Sequence, residues 1–114
     1  MNLKNYSLLA VLLFAIHVID DFAHERIPVL EAVILVPVIA IWLGATLKFT
    51  DQRAGMVVMI LGSLVGLAAP ILHAVGPRES LGFLTILNLL LLGFASLATL
   101  VLATIRLLAT SKVA

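Results

Sequence analysis

Cysteine is absent from the chain, which removes disulfides, thiolate metal ligands and thiol redox chemistry and leaves the redox compartment undetermined. Charge is scarce as well. Only 11% of the residues are Asp, Glu, Lys or Arg, where a soluble domain carries roughly 25%. The net charge is +1, and with no basic stripe anywhere no nucleic-acid partner is expected. No small-x-small cleavage site follows the first apolar stretch, and Asp20 and Asp21 interrupt it. It is therefore read as a helix of the protein and not as a secretory signal. Internal repeats and low-complexity segments are missing too.

Long hydrophobic runs are what is present. Hydrophobic residues make up 63% of the 114 positions, and at about 20 residues per span four spans use most of that length. The runs cover about 6–25, 28–48, 53–75 and 81–108, separated by short charged breaks that begin with His24-Glu25-Arg26. These breaks predict an all-α fold, an integral membrane four-helix up-and-down bundle, as a single transmembrane domain over residues 1–114 with the lipid bilayer as its partner. Pro28 suits a first helical turn, Thr50 or Asp51 an N-cap, and Gly76-Pro77 a stop, with Ser80 as the cap that follows.

Orientation follows from the basic residues. Alternating spans place Lys4, Lys48, Arg53, Arg106 and Lys112 on one side and only Arg26 and Arg78 on the other. That excess predicts a multi-pass protein with both termini in the cytoplasm. Asp20, Asp21, Glu25, Glu31 and Glu79, with all three histidines, then fall on the outer side or in the outer halves of the spans.

The segment HVIDDFAH, His17 to His24, is the densest part of this convergence. With His17 at zero, a helix puts Asp21 near +40°, His24 near −20° and Asp20 near −60°, one face of roughly 100°. His17 and His24 are about 10 Å apart along the axis, too far to share one ion. His17 with Asp21, and Asp20 with His24, have the i, i+4 spacing of a chelating pair. A single ion held by His17, Asp21 and His73 is the first expectation, with Asp20 and Glu31 as catalytic acid or base. An ion one turn higher, on Asp20, His24 and Glu31, is the other placement. Glu25, Arg26, Arg78 and Glu79 are read as solvated turn residues, Asn88 as a helix-packing hydrogen-bonder, and Pro37 and Pro70 as ordinary kinks.

Nitrogen and oxygen donors without sulfur suit a divalent metal, zinc first. Three function classes use such residues: a metal-dependent hydrolase acting on a lipid or small amphiphile from the outer leaflet, a proton-coupled cation or small-molecule transporter, and a haem-binding subunit ligated by His17 and His73. The inner halves of the spans offer a transporter little beyond Ser63, Ser96, Thr99 and Thr104. The helices are expected to enclose a pocket lined by all four. GSLVG, with Gly62 and Gly66 four residues apart, offers a close-contact seam, so a homodimer or larger assembly is expected.

Overall fold

Asn2 starts the first helix earlier than the apolar run alone suggests: its side chain accepts the N–H of Asn5 at 2.9 Å, one of the donors a helix start leaves unpaired. The computed structural model describes residues 2–75 and 82–113. Its helices are α1 (Leu3–Ala23), α2 (Val29–Lys48), α3 (Arg53–Val75) and α4 (Phe83–Val113). Pro28 is the N-cap of α2, with ψ 151°, and not its first residue. The cap position of α3 falls on Gln52. Thr50 and Asp51 lie in the preceding turn, where Thr50 donates back to the carbonyl of Thr46 and Asp51 accepts from Arg106 at 3.1 Å. The expected stop at Gly76-Pro77 and the Ser80 cap lie outside the described residues.

Consecutive helices pack on one another, α4 returns to α1, and across the middle α1 meets α3. This is a four-helix bundle, and its four helices are long and apolar enough to cross a membrane by length and composition. Ala10, Val11, Phe14, Trp42, Met59, Leu92 and Ala95 fill the interior. Lys4, Lys48, Asp51 and Arg106 line one polar cavity at the end of the bundle away from HVIDDFAH.

α2 is fastened at that same end. The indole N–H of Trp42 donates to Ser7 Oγ at 3.0 Å, and Thr46 Oγ1 donates to the carbonyl of Trp42 at 2.9 Å. Because the Thr46 proton is already used, Ser7 supplies the proton of the 2.6 Å bond between the two hydroxyls. Every polar atom in this ring is buried and paired, which costs little and fixes register. Gly62 makes room for it: a Cβ there would lie 2.5 Å from the Trp42 ring, and one on Gly66 would collide with Ser96 Oγ. The close approach made by GSLVG is therefore inside the chain, against α2 and α4.

Candidate metal centre

The C-terminal end of α1 closes in a Schellman turn, and that turn builds half the site. Glu25 N–H bonds to Phe22 O at 3.1 Å and Arg26 N–H to Asp21 O at 2.8 Å, with Glu25 in the left-handed region at φ 56°. The motif usually ends on a hydrophobic contact between the residues that Arg26 and Asp21 occupy here. In its place Arg26 Nη1 donates to Asp21 Oδ1 at 3.1 Å and to Asp20 Oδ2 at 2.9 Å. Arg26 is thus not the solvated turn residue its position suggested; its side chain is 13% exposed. Burial works against its charge, but the bonds to Asp20 and Asp21 outweigh that and raise its pKa further.

Asp21 faces inward with its other oxygen. Oδ2 lies 3.1 Å from His17 Nε2, one turn below, and 3.6 Å from His73 Nε2 on α3. The diagonal contact between α1 and α3 makes this meeting. His17 and Asp21 are buried and His73 partly so, with the two imidazoles edge to face at 5.1 Å between ring centres. One donor atom from each of the three residues falls within 4.8 Å of the others, so this is a buried His/His/Asp cluster able to coordinate a metal ion.

The spacing can be compared with what an ion requires. Bond lengths of about 2.0–2.2 Å put neighbouring ligands of a tetrahedral zinc roughly 3.3–3.6 Å apart. The observed 3.6 Å lies at the upper limit of that edge and 3.1 Å just below it, with all three atoms within 4.8 Å of one another. The longer one exceeds a good N–H···O bond. Charge points the same way. Among the described residues, Asp20 and Asp21 carry two negative charges against one on Arg26 when the imidazoles are neutral, and the buried one of the two, Asp21, needs a cation, a proton or hydrogen-bond donors beyond its share of Arg26. Among the described residues, the buried His17 Nδ1 has no hydrogen-bond partner.

Asp20 points to a different neighbour. Its Oδ2 accepts Thr85 Oγ1 from α4 at 2.8 Å as well as Arg26, and its Oδ1 lies 3.1 Å from His24 Nδ1. His24 is largely exposed and joins neither His17 nor His73. Glu31, in the first turn of α2, is also exposed and outside the cavity beside the cluster. Asn88 donates to the carbonyl of Leu13 at 3.2 Å, binding α4 to α1. The cavity, about 300 Å³, is lined by α1, α2, α3 and the turn between the first two. α4 is not part of its wall, in contrast to the expected four-helix lining, because the standing-off helix is α2 while α4 packs closely on α1 and α3. Sequence reasoning missed Thr85, whose bond to Asp20 spans 65 positions, and the Ser7–Trp42–Thr46 ring.

The chain matches no protein-family model, no curated protein and no solved structure.

Proposed function

We propose that the chain is a multi-pass membrane protein with both termini in the cytoplasm, holding a divalent ion, zinc first, on His17, Asp21 and His73 near its outer face. The observation that carries this reading is the 3.6 Å separation of His73 Nε2 from Asp21 Oδ2, too long for a good hydrogen bond and right for two ligands of one ion. Large apolar side chains such as Leu12, Ile19, Val33 and Leu90 cover the outside of the bundle, a surface suited to lipid. Three protein ligands leave a fourth position for water, and an ion so placed activates water against an ester or amide carbonyl. The substrate class is a lipid or small amphiphile, consistent with the largely apolar side chains around the cavity.

Two other uses fit less well. Below the cluster Phe14, Met59 and Leu92 are packed at 3% exposure or less, and among the described residues the buried polar side chains there are hydroxyls (Ser7, Thr46, Ser63, Ser96, Thr99) with no charged group to pass an ion onward. For haem, both imidazoles would have to face an iron from opposite sides, whereas here they converge on one carboxylate oxygen.

Metal content of the purified protein, measured by mass spectrometry beside a visible spectrum, tests the proposal. Wild type should retain about one zinc per chain, and His17→Ala or His73→Ala should lose most of it, since an open three-ligand site depends on each ligand. His24→Ala should keep it. Full occupancy in His17→Ala, or a Soret band in wild type, would overturn the assignment.

A further inference from the structure

α2 is fully buried against the bundle at one end only. All of its buried residues, Trp42, Ala45 and Thr46, lie near its inner end. From Val29 to Ile41 no residue is fully buried, Leu35 and Ile39 packing partly buried on the core, and Pro37, which removes a backbone hydrogen bond, lies within this stretch. The outer half is therefore packed more loosely than the inner end, and two cavities lie between it and α3. Val65 lines both the cavity beside the His/His/Asp cluster and a second cavity of about 190 Å³ on the α2–α3 seam, whose wall includes Trp42 and Gly62. Polarity along this track is one-sided. His17, Asp21, Arg26 and His73 stand at its outer end, while Val38, Ile41, Leu61 and Val65 line the remainder.

From this we infer that the α2–α3 seam is the binding groove for the single alkyl chain of an amphiphile whose carbonyl head lies at the His17/Asp21/His73 ion. The inference rests on the metal reading above and adds the shape and length of the ligand. Eleven residues separate Gly62 from His73, about 16 Å of helix axis. Carbon–carbon bonds of about 1.5 Å advance an extended chain by about 1.25 Å each, so roughly thirteen carbons span that distance. At about 30 Å³ for a water-sized group the two cavities hold about ten and six such groups, in line with the length. Ile41, Leu61 and Leu72 along the seam are exposed on the outside of the bundle, so a chain passes sideways between bilayer and groove without crossing water.

Trp42 tests this directly, being the only tryptophan in the chain and 1% exposed, hence shielded from bulk lipid. The probes are long-chain fatty hydroxamates, whose heads chelate zinc, brominated about four, nine or thirteen carbons from the head. Metal content and Trp42 fluorescence are read on the same zinc-loaded protein. We expect saturable quenching that rises several-fold from the nearest bromine to the farthest. Val65→Phe should abolish that gradient while keeping the zinc, and His73→Ala should abolish both. Retained zinc with equal quenching at all three positions overturns the groove and leaves the ion in place. Failure of wild type to hold zinc overturns the metal reading and the anchored head together.

Discussion

Replacing Arg26 with Gln separates a metal centre from a purely structural ion network. The guanidinium is the cation that Asp20 and Asp21 share, at 2.9 and 3.1 Å. Removing one partner of a buried pair costs about 3–5 kcal/mol, most of it the uncompensated charge left behind. Asp21, 7% exposed, bears that cost in full, while Asp20, 25% exposed, can recruit water. The lower bound therefore applies, about 3 kcal/mol, or on the order of 10 °C in the melting temperature. That is the expectation in chelator, followed by Trp42 fluorescence in mild detergent. Zinc should then shrink the gap between variant and parent, because an ion on Asp21 Oδ2 neutralises the same carboxylate that lost Arg26, and it binds a cluster one unit more negative. No gap in chelator would show that Arg26 does not hold the aspartates. A gap of equal size with and without zinc would show that no ion touches Asp21.

Gly62→Leu should destabilise the fold by about 3 kcal/mol, by overpacking the Trp42 ring and leaving its N–H and the Ser7–Thr46 pair mispaired; thermal unfolding measures it. A variant of unchanged stability but smaller mass in detergent would instead make the GSLVG glycines a seam between copies. A reporter after Ala114 should be cytoplasmic and one inserted at Gly76-Pro77 outside; the reverse labelling would turn the His/Asp cluster toward the cytoplasm and refute the outer-leaflet substrate.

How far the sequence predicts this arrangement depends on the distance over which each interaction acts. The polar face of α1 is visible at once, since His17 and Asp21 are one turn apart and helical geometry alone pairs them. His73 is found by depth, because it is the histidine at matching height on another apolar run. Arg26 is not found. Its role depends on Glu25 taking a left-handed conformation at φ 56°, which glycine usually supplies, so nothing in the residue type announces the turn that folds Arg26 back. The glycines of GSLVG announce a close approach without naming the partner, and only packing shows it to be Trp42 and Ser96. The start of α1 at Leu3 was missed for a simpler reason, in that the apolar pattern is blind to the polar cap at Asn2.

The paired aspartates of HVIDDFAH differ in environment because consecutive residues on a helix point about 100° apart. That rotation sends Asp21 toward α3 and His73, and Asp20 toward α4 and Thr85. A single carboxylate could not serve both neighbours. Arg26, arriving from the Schellman turn, reaches one oxygen of each, and so leaves Asp21 with one oxygen free for the histidines while Asp20 ties the turn to α4. The same i, i+4 spacing occurs twice, as His17 with Asp21 and as Asp20 with His24, and both pairs form. Among the described residues, only the first is buried and meets a third metal-ligating side chain. Spacing along one helix sets up a chelating pair, but the diagonal packing of α1 on α3 decides which pair becomes a site.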